Sequence, residues 1–285
     1  MEKTVYTKLI QSSSPAFRFC KFRRKNNESL ALPAIIAIVV LLGACSKPAA
    51  ETPQGVDVGD AKAAAAKTSQ ADQLYAQRED LGKLRQAVAL LRQARIEDYG
   101  SFDAAWKLSR AAYYLGDHTT DERERDNSFR EGEEAGKAAV KLEDSKAEGH
   151  FWLGANYGGK ARYSTLASLS SVDDIRTQME TVLKIDESFQ AGSAYMVLGQ
   201  LYLQAPRMLG GDIDKATGYL EKGLKFGETN ALLRLRLAEA YHAANRDGDA
   251  RKQIAYITTM KVDPDYAAEY NQAIEEAKKL EASMK

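Results

Sequence analysis

The chain has 285 residues, with 40 Lys+Arg against 40 Asp+Glu and a formal net charge of zero at pH 7. At 44% hydrophobic and 28% charged residues it is neither disordered by composition nor a multi-span membrane protein, and without a basic excess no nucleic-acid partner is expected. Two cysteines exclude a disulfide-dense scaffold and an all-Cys zinc site, and three histidines leave little for a His-based centre, so neither metal nor cofactor is expected.

Residues 1–29 carry Lys3, Lys8, Arg18, Lys21, Arg23, Arg24 and Lys25 against only Glu2 and Glu28, and residues 30–44 (LALPAIIAIVVLLGA) hold no charge. A basic region, a short apolar stretch and a small-residue exit make residues 1–44 a secretory signal. The apolar stretch falls short of the roughly 20 residues that a spanning helix needs. The exit, Leu42-Gly43-Ala44-Cys45, resembles the bacterial lipobox. That resemblance implies cleavage before Cys45 and attachment of a diacylglycerol to its thiol, with acyl chains such as palmitate as the hold on the membrane. Each buried acyl methylene contributes about 0.8 kcal/mol, and two chains anchor stably. Ser46 stands where Asp would imply inner-membrane retention, so the resemblance implies an outer-membrane lipoprotein facing the periplasm. Loss of the signal removes 7 basic and 2 acidic residues and leaves 33 against 38, a mildly acidic mature protein.

Residues 45–69 are rich in Ala, Pro, Gly and small polar residues without apolar periodicity, which predicts a flexible spacer behind the lipidated end. From 70 to 285 the apolar residues fall at helical spacing with no strand alternation, and abundant Ala, Leu, Glu, Lys and Arg favour helix. Ser101 is placed to cap a helix carrying Trp106, with Gly116 near its end. The charged run 121–126 reads as a solvated helix start, and Gly210-Gly211-Asp212 opens a helix carrying Ala216 and Leu220. Asp263-Pro264-Asp265 starts a last helix that caps the C-terminal end.

A repeat runs through this region. Leu153, Gly154 and Tyr157 fall at the large, small and aromatic positions of the tetratricopeptide (TPR) signature. So do Leu198, Gly199 and Tyr202, and then Leu237, Ala238 and Tyr241. Looser copies surround Trp106 with Tyr113, and Leu74 with Tyr75. The tyrosines at 75, 113, 157, 202 and 241 lie 38, 44, 45 and 39 residues apart, longer than the ideal 34, and residues 205–209 read as an insertion. The expected fold is all-α: a TPR-like α-α superhelix of diverged repeats, in which neighbouring helix pairs bury the apolar faces that none can bury alone.

Catalytic chemistry is hard to find. Residues 154–161 (GANYGGKA) match a phosphate-binding loop except that Ala161 replaces the Ser/Thr that would hold magnesium, and no strand precedes them. There is no HExxH, GxSxG or CxxC, and Asp173-Asp174 reads as an acidic first turn of a helix. No enzyme is expected. A binding surface remains: in the repeat pattern the inner groove is lined by Lys107, Tyr114, Phe151, Met196, Gln200, Leu203, Leu235, Glu239 and His242. This lining suits a partner helix, an apolar ligand or the chain's own terminal helix.

The runs GHFWLGANYG (149–158), METVLKID (179–186), LGQLY (198–202) and PRMLGGD (206–212) resemble TPR-like lipoproteins related to the T component of TRAP transporters. The segment WKLSRA (106–111) is similar to the regulator-of-microtubule-dynamics group. The resemblance implies a helical periplasmic lipoprotein serving as a protein-binding scaffold. It also implies an alternative, an accessory of a TRAP-type uptake system whose partner is a solute-binding protein.

Overall fold

A computed structural model of the chain describes residues 60–163, 171–262 and 267–284. All of them lie in the compact unit Pro53–Lys285. The secretory segment, Cys45 and the first part of the expected spacer fall outside the described residues, as does the Asp-Pro-Asp start of the last helix. The described residues form eleven α-helices and one 3-10 turn, with no strand among them. None of these helices is long and apolar enough to cross a membrane.

In chain order they are α1 (Ala61–Tyr75), α2 (Leu81–Glu97), α3 (Phe102–His118), α4 (Glu122–Leu142) and α5 (Ala147–Tyr163). Then follow α6 (Val172–Ile185), α7 (Phe189–Gln204), α8 (Ile213–Gly223), α9 (Ala231–Ala243), α10 (Asp247–Thr259) and α11 (Ala267–Ser283). Consecutive helices pack in pairs, and the first helices α1, α3, α5, α7 and α9 also touch one another in succession. Each first helix carries one of the five tyrosines. The fold is thus the expected TPR-like solenoid of five pairs with α11 as its cap.

Helix starts follow the capping chemistry. Ser101 accepts from the Ala104 amide at 3.2 Å, Asp121 from Glu124 at 2.8 Å, and Asn230 from Leu233 at 3.1 Å. Asp212 accepts from both Asp214 and Lys215 at 3.0 Å, so the Gly-Gly-Asp run does open α8. The insertion before it is the 3-10 turn Arg207–Leu209, closed by Gly210 at φ 92°. The spacing of 44 between the tyrosines of α3 and α5 comes from α4, which runs for 21 residues.

One expectation needs correction. Helix α1 begins at Ala61, so residues 61–69 of the expected spacer are helical. The alanine run has the highest helix propensity, Asp60 caps it at Ala63, and Ala64 is buried with Ala94 and Ala104. Gly116 lies near the end of α3, as expected; a methyl there would meet the Phe129 ring at 2.9 Å, so it also serves close packing.

The core is largely apolar, with a buried polar knot between α3, α4 and α5. Asn156 of α5 has no exposed surface, and its Nδ2 donates to the Ser109 carbonyl and hydroxyl at 3.1 Å and to the Trp152 carbonyl at 2.7 Å. Ser109 in turn donates to the Gly132 carbonyl at 2.8 Å. This knot ties α3, α4 and α5 together through the Asn156 amide nitrogen, while Asn156 Oδ1 is buried without a partner, a group that costs about 1–3 kcal/mol at such depth. A second irregularity opens α7, where Gln190, Ala191 and Gly192 take left-handed φ values of 45°, 54° and 75°. The turn is held by Asn230, whose Nδ2 donates to the Ala191 carbonyl at 3.2 Å.

Candidate functional site

The first helices of successive pairs present one face to the interior of the array. At its N-terminal end this face is aromatic and cationic. The Arg110 guanidinium lies 3.9 Å from the Tyr75 ring centroid and 4.9 Å from that of Trp106. Asp72 neutralises this group, accepting from Lys107 at 2.7 Å and from Arg110 at 3.0 Å. Burial pushes the Tyr75 phenol up to about 12 against the opposing pull of Arg110 and Arg78. Tyr114 is raised by burial as well; its ring stacks on His118 with centroids 3.9 Å apart.

At the other end the face meets α11. Ala273 and Ala277 of α11 are buried with Leu235, Leu237, Ala238 and Met284, and Met196 and Leu203 pack partly buried against the same cluster. Arg236 of α9 donates to Glu239 at 2.7 Å and pairs with Glu276 of α11 at 3.0 Å. The N-terminal part of α11 reaches further: Glu269 accepts from Arg78, in the turn between α1 and α2, at 2.8 and 2.9 Å. Between these two grips lies a polar cavity of about 500 Å³ lined by Glu79, Tyr114, Asp117, His118, Arg162, Tyr163 and Gln272. Arg162 donates to Asp117 across it.

The residues expected in the groove therefore divide. Lys107 pairs with Asp72 and Glu239 with Arg236, Met196 and Leu203 pack against the cluster that α11 covers, Gln200 is half-buried on α7, and of the whole set only Tyr114 lines the cavity. Phe151 and Leu235 do not line an open groove: Phe151 is sealed against Trp152 and Phe189, and Leu235 lies wholly within the cluster that α11 covers. His242 is drawn to the end of α9, where it meets Asp247 at 2.6 Å. Sequence reasoning missed Arg78, Arg162 and Arg236. The repeat pattern singled out none of them, and two of their partners lie far along the chain: Glu269 is 191 positions from Arg78 and Asp117 is 45 from Arg162.

The phosphate-loop match is helical throughout, inside α5. A methyl on Gly154 would meet Met179, one on Gly159 would meet Phe129, and Lys160 pairs with Glu133 at 3.0 Å. These residues are committed to packing. Among the described residues no group of three or more His, Cys, Asp or Glu could hold a metal ion.

A thermophilic TPR protein of Thermus thermophilus, TTC0263, shares the fold at 22% identity with a TM-score of 0.56, covering 75% of this chain and 100% of that one. PilF of Pseudomonas aeruginosa does so at 18% identity with a TM-score of 0.50, covering 78% of this chain and 94% of its own. No curated protein matches the chain. The family described as TRAP transporter T-component matches residues 93–284, most of the described array, and the chain belongs to that family.

Proposed function

We propose that this chain is a non-catalytic accessory of a TRAP-type solute uptake system, held in the periplasm by acyl chains on Cys45 and docking a solute-binding protein on its inner face. The family match over 93–284 carries the reading. The geometry supports it, since the inner face concentrates aromatic rings, paired cations and a polar cavity. The apolar-ligand alternative draws less support, because Phe151 and Leu235 are already enclosed by neighbours. Affinity capture of the acylated protein from its native envelope tests the proposal. Enrichment of a periplasmic solute-binding protein that is lost with Gln200→Arg supports it; recovery of none above the level of that variant refutes it. The anchor is tested separately, because Cys45→Ser should abolish incorporation of a palmitate analogue.

A further inference from the structure

Paired helices run in opposite directions, so the first helices start, and the second helices end, at the same edge of the array. Contacts fix this edge near the N-terminus. Ala64 at the start of α1 is buried with Ala94 near the end of α2 and Ala104 at the start of α3. Lys67 of α1 pairs with Glu97, the last residue of α2. The Lys146 ammonium, between α4 and α5, lies 4.6 Å from the centroid of the Phe102 ring that opens α3. Two further features meet at this edge. The chain enters α1 here through its cap Asp60, which follows Cys45 by 15 positions. Large apolar side chains also stand in solvent here: Ile96 is 61% exposed, Tyr99 64% and Leu142 39%, with Ile185 and Phe226 at the matching ends of later pairs. Of the exposed large apolar side chains among the described residues, only Tyr163 and Met208 lie at the opposite edge.

We propose that this edge, at Ile96, Tyr99 and Leu142, docks on the surface of the lipid bilayer that holds Cys45. The proposal rests on the acyl anchor inferred above and adds the orientation of the array to it. A link of 15 positions reaches at most about 50 Å, so the anchor keeps the first two helix pairs near the bilayer without setting which side faces it. The exposed side chains set that. Three of them bind lipid too weakly to capture a chain from solution, but behind an acyl anchor the contact is intramolecular, at an effective concentration on the order of mM. Tyr99 suits the interfacial zone, with an apolar ring and a polar hydroxyl. Charge neither drives nor opposes the contact, because Lys141 and Lys146 are offset by Glu143 and Asp144 around the same turn. Contact along this edge leaves the inner face free for a soluble partner.

The test uses the acylated full chain in vesicles of phosphatidylethanolamine and phosphatidylglycerol. Cys20 leaves with the signal and the Cys45 thiol carries the diacylglycerol, so an introduced cysteine is the sole thiol to label. Ser145→Cys places a fluorophore in the exposed α4–α5 turn at the tether edge, and Met208→Cys places one at the opposite edge. Phospholipids bearing a nitroxide should quench the label at 145 at least about threefold more than the label at 208. Adding Ile96→Ser/Tyr99→Ser should remove most of that difference, and both side chains are exposed enough to change without unfolding the array. Salt at about 0.5 M should leave the quenching as it was, since no ion pair with lipid is involved. Equal quenching at 145 and 208, or a difference untouched by the double substitution, overturns the proposal. So does equal quenching together with a dimer, or a captured periplasmic protein, that Ile96→Ser/Tyr99→Ser releases, which assigns the edge to that partner. A chain that stays in the aqueous fraction overturns the anchor and the docking together; one that floats with the vesicles but shows equal quenching overturns the docking alone.

Discussion

Adding one methyl group at Gly199 should destabilise the array, and adding the same group at Gly218 should not. A methyl on Gly199 would sit 2.4 Å from Leu220 Cγ and 2.8 and 2.9 Å from its two δ carbons. Comfortable carbon contacts lie near 3.5–4.0 Å, so Leu220 must retreat by about 1 Å. It has no exposed surface, and the nearest atom is its branch point rather than a flexible tip. Overpacking of this kind costs about 1–3 kcal/mol. Replacing helical Gly by Ala returns roughly 0.8–1 kcal/mol through backbone entropy. Gly218, on the adjoining helix α8, has nothing within 4 Å of the same methyl, so Gly218→Ala keeps the propensity gain alone. The two variants should therefore differ by about 1–3 kcal/mol, or roughly 2–12 °C in Tm for a domain of this size. Circular dichroism at 222 nm and tryptophan fluorescence should be followed together, because repeat arrays can lose cooperativity. If Gly199→Ala melts at or above Gly218→Ala, the tight α7–α8 contact is not as described.

Gly154→Ala should be milder than Gly199→Ala, because its methyl meets Met179 Cε at 2.4 Å, the free end of a pliable side chain; paired urea midpoints check the order. Asn156→Asp replaces a donor to three acceptors with a buried carboxylate and should cost at least about 3 kcal/mol, readable as a large fall in Tm. The hydrogen bond from Arg85 holds the Glu124 carboxyl down at about 2, from an ordinary value of 4.5, with burial opposing. A depressed carboxyl stabilises the fold above its unfolded pKa and loses that contribution as pH falls toward 2. Because Arg85 is half exposed, the contribution should be no more than about 1 kcal/mol. Glu124→Gln should flatten the decline of Tm between pH 4.5 and 2. Tyr241 donates to Glu221 at 2.9 Å, and burial pushes its phenol up to about 12, so Tyr241→Phe should remove a tyrosine titration near that pH and cost about 1 kcal/mol.

The parts of the fold that were readable from sequence are those set by local chemistry. The repeat positions at Gly154, Tyr157, Gly199 and Tyr202, the cap at Ser101 and the opening at Asp212 all depend on residues within one helix pair. Residues 61–69 were misread because a run of alanines carries no periodicity; only burial against Ala94 and Ala104 shows it as packed helix. The left-handed turn at Gln190 and Ala191 left no mark either, since neither residue favours positive φ and the turn is held from a distance by Asn230. The groove was harder still. Its lining positions follow from the repeat, but whether a position is open depends on what crosses it, and α11 closes over Leu235 while leaving Tyr114 on a cavity.

An ordinary solenoid has two ends that unravel independently, since each repeat knows only its neighbours. The contact from Arg78 to Glu269 spans 191 positions and joins the first turn to the last helix. Fraying at either terminus must then break an ion pair belonging to the other, so damage at one end is felt at the opposite one. Such long-range closure raises contact order, which slows folding relative to an open array of the same helices. A chain released from this tie by Glu269→Gln should fold faster and unzip sooner, trading cooperativity for speed.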